Sequence, residues 1–289
     1  MRILILGGDG MLGHRLLEEL SRKHDVRTTL RRDRSAYDRF GIFTEANSYA
    51  GVDVRVTDRV IGVLADFHPD TVINAVGVVK QRPDGLDAIP NLEINALLPH
   101  RLAAICGAIK AHFVHISTDC VFSGRRGGYA EDHEPDPIDV YGHSKLLGEV
   151  TTAGCITLRT SIIGRELSRK TSLLEWFLAQ HGKVRGYRNA IFSGVTTLEM
   201  SRIIENLVTH FSGASGIYHV SSFPISKYAL LSMVKMVFDL PVEIVPDDDF
   251  RCDRSLDSTR FRRDFGYTPS TWEQMIDELA REYRAGKIR

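Results

Sequence analysis

The feature that most constrains the fold is an apolar run at residues 3–6 that leads at once into glycines at positions 7, 10 and 13. Leucines at four-residue spacing follow, so the segment predicts a strand, a tight turn and a helix packed on the strand. Glycines let the backbone approach a pyrophosphate, which the helix N-terminus binds. Such a string also occurs in turns without a ligand, but directly after a strand it predicts a dinucleotide site. The predicted contacts are Gly7, Gly10, Met11, Leu12 and Gly13.

The first half of the chain alternates short apolar runs with amphipathic stretches. Strands are predicted at Arg2–Leu6, 26–30, 52–54, 71–75, 113–117 and 156–159. This alternation of strands and helices predicts an α/β fold with a doubly wound parallel (Rossmann) sheet that is covered on both faces. We expect residues 1–163 to form a nucleotide-binding domain to which part of 190–222 returns. Residues 164–289 are expected to form a smaller, mixed α/β substrate-binding lobe.

Composition and charge narrow the class of protein. The 289 residues are 43% hydrophobic, and 37 basic residues balance 37 acidic ones. We therefore expect no nucleic-acid partner, since no overall basic field is present, and we noted no apolar run of membrane-spanning length. The four cysteines lie far apart without a C-x-x-C pair, which favours a reduced cytoplasmic protein without a metal site.

The end of the second predicted strand bears on the choice of cofactor. An acid usually stands there to hold the ribose of NAD, but this chain has Arg31 and Arg32. Two guanidinium groups suit a 2′-phosphate, so we expect NADPH, with NADH as the disfavoured cofactor; ordinary solvated arginines are the alternative. Further cofactor contacts are expected from Asp53, Val54, Ala75, Val76 and Gly77.

A tyrosine and a lysine four residues apart, Tyr141 and Lys145, are the candidates for chemistry. Residues at this spacing share one face of a helix. A nearby cation is expected to lower the pKa of the phenol, whose reference value is about 10. Most such pairs are ordinary surface neighbours. Here Thr118 ends the preceding apolar strand, at the sheet edge where ligands bind.

These residues carry a resemblance. The segments GGDGMLG, INAVG, EINALLP, HISTDCVFSG, YAEDHEPDPIDVYGHSKLLGE and LRTSIIG span nearly all of the first 165 residues, and GIYHVSS and FPISKYALL continue it. The chain resembles the extended short-chain dehydrogenases/reductases and, more narrowly, the dTDP-4-dehydrorhamnose reductase group.

The resemblance implies NADPH-dependent reduction of a nucleotide-linked 4-keto-6-deoxy sugar for polysaccharide synthesis. It makes Tyr141 the general acid and Lys145 its partner, both beside the cofactor and the lysine bonded to the nicotinamide ribose. Thr118 would orient the carbonyl, and Asn95 would organise a water near Lys145. Asp119 is typical of the reductases rather than the epimerases.

Two segments depart from the family pattern, after Ala75 and between residues 182 and 197. Both are where the substrate would be recognised, so the sugar is left open. We expect substrate contacts from the loop at 80–90, from Arg165 and from the segments 187–197 and 251–255. The individual candidates are Lys80, Asp119, Arg165, Tyr187, Thr196 and Arg251.

Two alternative functions and an assembly state complete the expectations. A sugar-nucleotide epimerase or dehydratase would keep NAD tightly bound. A non-catalytic regulatory subunit would use the same fold to bind NADP and a partner protein. We expect a homodimer packed through helices at 92–109 and 141–153, because the first is apolar on too many sides for one sheet to cover.

Overall fold

The larger part of the fold is a seven-stranded sheet in which every strand pair is parallel. The structure, a computed structural model, describes residues 1–80, 87–168 and 170–285. In spatial order the strands are β10 (Gly216–His219), β6 (Cys155–Thr160), β5 (His112–Thr118), β4 (Thr71–Asn74), β1 (Arg2–Leu6), β2 (Asp25–Thr29) and β3 (Ser48–Tyr49).

Helices cover both faces of this sheet. Alternate residues of β1 show it: Ile3 and Ile5 belong to one buried cluster, Leu4 and Leu6 to another. The helices are α1 (Gly13–Leu20), α2 (Thr57–Phe67), α3 (Ala88–Ile109), α4 (Val140–Leu147), α5 (Leu173–Leu178), α6 (Thr197–His210), α7 (Lys227–Phe238), α8 (Thr259–Phe265) and α9 (Trp272–Arg284). The predicted fold class, a doubly wound parallel sheet, is confirmed.

A smaller mixed sheet lies in the C-terminal half. Its central strand β8 (Gly182–Phe192) runs parallel to β12 (Val242–Asp253) and antiparallel to β11 (Ile225–Ser226). Two short strands, β7 (Ile162–Ile163) and β9 (Val195–Thr196), form a separate pair. The predicted return of part of the second half to the main sheet corresponds to β10, which pairs with β6.

The third predicted strand was wrong in position. Residues 52–54 lie outside a strand, and β3 is the two-residue Ser48–Tyr49. Gly51 has a φ of 67° and ends the extended segment. Val52 and Val54 are apolar because they pack in the core next to α2, so burial alone produced the strand-like pattern.

The helix α3 has an irregular middle. Its section Asn91–Leu97 is wound as a π-helix, with wider turns than the α-helical section Leu98–Ile109 that follows. π-Helical turns frequently occur at functional sites. Here the wider turn carries Asn95.

The expectation that no segment resembles a membrane span needs correction at α3. This 22-residue helix, with a mean hydropathy of 1.2, is long and apolar enough to cross a membrane by length and composition. The same test is passed by core helices of soluble proteins, and α3 packs on β5 and on α4.

Candidate active site

Two adjoining pockets lie at the carboxyl edge of the large sheet. The first is lined by Gly7, Gly10, Arg31, Asp53, Val54, Ala75, Val76 and Gly77. The second shares Gly10 and residues 75–77 and adds Met11, Leu12, Lys80, Thr118, Asp119, Tyr141 and Lys145. Strand order explains the location, because the chain leaves β1 toward β2 on one side while β4 lies on the other, which opens a crevice between them.

The glycine turn after β1 is built so that only glycine fits at two of its positions. Gly7 has a φ of 87°, in the left-handed region, and its amide donates to Thr29 Oγ1 at 3.1 Å. A Cβ on Gly13 would lie 2.0 Å from the carbonyl oxygen of Gly7. The first turn of α1 is thereby held against the loop, which leaves a cradle beside its N-terminus for an anionic group.

The outer end of the first pocket is strongly basic. Asp53 is engaged by Arg55, whose Nη2 donates to Oδ2 at 2.5 Å, and this pairing lowers the pKa of the aspartate to about 2. The exposed guanidinium of Arg31 lines the pocket without a hydrogen bond or ion pair to residues 1–80, 87–168 or 170–285. It is therefore available to a ligand.

Arg32 does not line either pocket, although it also lacks a side-chain partner in the described ranges. Its amide donates to the hydroxyl of Tyr37, which in turn donates to Asp9 at 2.9 Å. Burial and the Asp9 charge raise the pKa of Tyr37 to about 12. Sequence reasoning missed Asp9, a pocket residue between two of the glycines.

The predicted catalytic side chains meet in the second pocket. Thr118 is the last residue of β5, and Asp139 caps α4 by accepting from the Gly142 amide at 2.8 Å, which fixes Tyr141 in the first turn. Both side chains line the pocket, and the Thr118 hydroxyl lies close enough to the phenol to affect its pKa. The threonine donates its proton to Asp119 Oδ1 at 3.2 Å. A hydroxyl pair at the edge of the sheet can hold one ligand oxygen.

The charges around the tyrosine differ from those expected from the sequence. Burial, followed by Cys120, raises the pKa of Tyr141, and the Thr118 hydroxyl only partly opposes this. Lys145 Nζ donates instead to the carbonyl of Ile116 at 2.6 Å. Burial lowers the pKa of Lys145 to about 8, and the charge of Glu149 works against that change.

Asn95 is surrounded by protein groups rather than solvent. It is 1% exposed, and its amide both accepts from the Val78 amide and donates to the Val78 carbonyl, each at 3.0 Å. It also donates to Ser144 Oγ at 3.1 Å. Asn95 thus joins the end of β4 to α4, close to Lys145.

Two of the six predicted substrate residues lie in the second pocket. Asp119 is buried beside Thr118. Lys80 forms an ion pair with Asp139 at 2.5 Å and places its ammonium 5.5 Å from the centre of the Tyr141 ring. Residues 81–86 of the predicted loop 80–90 lie outside the described residues, whereas Ala88–Pro90 already belongs to the helix α3 and not to a loop.

The other four predicted substrate residues do not line the pockets. Arg165 is buried in an ion pair with Glu175, and Thr196 is the N-cap of α6. Tyr187 packs against Phe250 with ring centres 4.9 Å apart and the rings tilted by 53°. Arg251 is exposed on β12, opposite Asn189 of β8. Segment 182–192, where no strand was predicted, is the strand β8.

The second pocket contains Phe192, at the end of β8, which belongs to the segment 187–197 predicted to contact the substrate. It also contains residues of the C-terminal half that sequence reasoning missed, among them Lys227, the first residue of α7, and Glu166 and Leu173. Of these three, Lys227 lies in the FPISKYALL segment, which matched the family without pointing to a side chain. Within the described ranges, no group of three or more His, Cys, Asp or Glu side chains could hold a metal ion.

The family follows from comparison with known proteins. A family profile described as the RmlD substrate binding domain matches residues 1–285. The chain belongs to this family. The expected resemblance to extended short-chain dehydrogenases/reductases is confirmed.

Members and relatives of the RmlD family align over different shares of the chain. The probable low-salt glycan biosynthesis reductase Agl14 of Haloferax volcanii is 41% identical over 101 residues, 34% of this chain and 33% of that protein. Methionine adenosyltransferase 2 subunit beta of Bos taurus is 28% identical over 176 residues, 58% and 48% of the two chains. The alignments thus span a third to a half of these relatives.

The RmlD fold is also seen in a solved structure over nearly the whole chain. A hypothetical dTDP-4-dehydrorhamnose reductase from Sulfolobus tokodaii is 28% identical, with a TM-score of 0.75. The match covers 93% of this chain and 98% of the other.

Proposed function

We propose that the protein is an NADPH-dependent reductase of a nucleotide-linked 4-keto-6-deoxy sugar. The observation that carries the proposal is the meeting of Thr118, Tyr141 and Lys145 in one pocket that is continuous with the glycine cradle. The similar protein from Sulfolobus tokodaii, described as a dTDP-4-dehydrorhamnose reductase, supports the same reaction. In this proposal residues 1–163 bind the dinucleotide, and residues 164–289, apart from the returning segment, bind the sugar nucleotide.

The residues fit a dinucleotide at the cradle. A Cβ at position 13 would collide with the Gly7 backbone and push the first turn of α1 away from the loop, and Arg31 has an unengaged guanidinium in the first pocket. When bound, NADPH supplies the hydride. The Gly7–Gly13 loop would hold its pyrophosphate and Arg31 its 2′-phosphate.

The proton comes from the protein. Thr118 and Tyr141 would share the substrate carbonyl oxygen, where negative charge develops during reduction. Since burial raises the pKa of Tyr141, the phenol is protonated at neutral pH and can donate to that oxygen. Lys145 lines the same pocket as Tyr141, and its Nζ lies 4.0 Å from the position that a Cβ on Gly77 would occupy. In the proposed reaction its ammonium stabilises the phenolate left behind and bonds a ribose hydroxyl of the cofactor beside Gly77.

The direct test is turnover. The purified protein should oxidise NADPH when given a nucleotide-linked 4-keto-6-deoxy sugar, and a panel that varies the base and the sugar identifies the substrate. An epimerase or dehydratase would instead retain NAD through purification and need no external reductant. Absence of NADPH oxidation across the panel would refute the proposal.

A second candidate is a non-catalytic, NADP-binding regulatory subunit. The observation in its favour is the similarity to methionine adenosyltransferase 2 subunit beta. A binding module has no chemical need for Thr118, Tyr141 and Lys145 in one pocket. The turnover assay separates the two candidates, because a regulatory subunit would bind NADPH without oxidising it.

Cofactor preference is a testable consequence. We expect kcat/KM to be about tenfold to hundredfold higher with NADPH than with NADH, as a charge-assisted arginine–phosphate contact contributes roughly 1.5–3 kcal/mol. Arg31→Ala should remove most of the preference by weakening NADPH alone. Arg22→Ala, which removes an exposed arginine of the α1 end, is the control. Equal kcat/KM values for the two cofactors in the wild type would contradict the assignment.

We also propose a homodimer formed through α3 and α4. Apolar side chains on both helices are 44–60% exposed, namely Leu92, Leu97, Ile109 and Leu147. The second helix ends at Leu147, so the surface is shorter than the predicted 141–153. Light scattering at micromolar concentration should give twice the chain mass, and Leu97→Asp should give the monomer. Met236→Asp, at a 75% exposed site on α7, should leave the dimer intact; a monomeric wild type would rule the dimer out.

A further inference from the structure

A lysine from the C-terminal half reaches the pocket that contains Thr118 and Tyr141. Lys227 begins α7 and lines this pocket. Pairing of β11 with the end of β8 sets Ile225 opposite Phe192, and Lys227 Nζ lies 4.2 Å from the centre of the Phe192 ring. The ammonium is therefore held in place by an aromatic face.

This ammonium has no hydrogen-bond acceptor and no ion-pair partner among the residues that the structure describes. Burial is the main effect on the group and lowers the pKa of Lys227, against the charges of Asp119 and two cysteines. An ammonium has three donors, and leaving them unpaired away from water is costly. A charged side chain that lines a cleft and lacks a protein partner indicates a ligand-binding site.

A carboxyl group lines the same pocket as the ammonium. Asp119 is buried, and its Oδ1 accepts from Thr118 Oγ1 at 3.2 Å. Its charge acts on Lys227, and the charges of Arg254 and Lys227 act on it. Asp119 and Lys227 nevertheless do not form an ion pair among the residues that the structure describes. The pocket therefore has an acceptor and a donor of opposite charge that are not paired with each other.

We propose that Asp119 and Lys227 together bind a substrate hydroxyl on the carbon next to the reacting carbonyl, so that the substrate is an α-hydroxy ketone. A hydroxyl can donate to the carboxylate and accept from the ammonium at once. A phosphate would be repelled by Asp119, and a second keto group would have no proton to donate to it. Because Asp119 follows Thr118 directly in the chain, the hydroxyl site adjoins the carbonyl site. This inference rests on the proposed function and specifies its sugar.

The test compares two substrates in wild-type and variant enzymes. One is a nucleotide-linked 4-keto sugar with a hydroxyl at C3, and the other is its 3-deoxy analogue. Lys227→Met should lower kcat/KM for the hydroxylated sugar by about tenfold to hundredfold, mainly through KM. It should leave kcat/KM for the deoxy sugar unchanged, and Lys227→Arg should restore part of the loss. Lys235→Met, the same charge removal two turns along α7, is the matched control.

Fluorescence titration of NADPH and thermal unfolding check that the variant is intact. We expect an unchanged NADPH affinity and a Tm no lower than that of the wild type, because the variant removes an unpaired charge. Equal losses for both sugars would overturn the inference while leaving the reductase proposal standing. If the wild type reduces neither sugar although it binds NADPH, the reductase proposal itself fails, and this inference with it.

Discussion

Tyr141→Phe is expected to reduce kcat by about 10²–10⁴-fold, the range that general acid catalysis typically supplies. The phenol acts on the substrate oxygen, where negative charge appears only as the hydride arrives. Its contribution is therefore made mainly in the transition state, and kcat should fall while KM changes little. The ring stays in place, so packing against Lys80 and the binding of NADPH should persist.

Single-turnover rates, measured beside NADPH titrations, test this expectation. Tyr283→Phe removes a hydroxyl from a half-exposed tyrosine on α9 and should leave both quantities unchanged. If Tyr141→Phe keeps more than about a tenth of the wild-type kcat, Tyr141 is not the essential acid. The regulatory-subunit alternative would then gain support.

Lys145→Met should differ from Tyr141→Phe by affecting binding and stability as well as turnover. In the proposed reaction it removes the charge that stabilises the phenolate and a bond to the nicotinamide ribose, so kcat should fall by about 10²–10⁴-fold and NADPH affinity by about tenfold. For the wild type, the rate of reduction should decline as pH rises through about 8, where Lys145 loses its proton.

The same variant should be more stable than the wild type at neutral pH. The pKa of Lys145 is lowered from 10.5 to about 8 on folding, so the unfolded chain binds the proton more tightly. Burying the charge therefore destabilises the folded state below pH 8, by roughly 3 kcal/mol. Loss of the bond to Ile116 offsets about 1 kcal/mol of the gain in the variant.

The pH dependence supplies the decisive measurement. Between pH 8 and 10.5 the wild type should gain stability and approach the variant, because the folded protein no longer holds the charge. Urea unfolding at pH 7, 9 and 10.5 measures how the free energy of unfolding differs between the wild type and Lys145→Met. A variant that is less stable than the wild type at pH 7 would show that the ammonium is well paired in the fold.

Local patterns in the sequence were sufficient to predict the parallel sheet and the glycine turn that forms the cradle. The glycines at 7 and 13 are required by a left-handed φ and by a contact with the Gly7 carbonyl. These are constraints between residues six apart, so a short segment encodes them. The strands β1, β4, β5 and β6 likewise follow from continuous apolar runs, because parallel strands are buried on both faces.

Short segments also give wrong predictions. A buried apolar segment can look like a strand, and a strand with many polar residues can go unrecognised. Val52 and Val54 are apolar because they lie under α2, not because they pair in the sheet. The strand β8 was not predicted, since Lys183 and Arg185 on its exposed face interrupt the apolar pattern while Val184 and Phe192 face the core.

The charges of the site were decided by tertiary structure alone. The motif places Tyr141 and Lys145 four residues apart, but it does not encode the Ile116 carbonyl that takes the ammonium or the burial that raises the pKa of the phenol. Lys227 is 82 residues or more from these groups in the chain and enters the pocket only because β11 pairs with β8. Sequence patterns determine short-range geometry; the electrostatics of a pocket depend on which distant segments surround it, and folding alone brings those segments together.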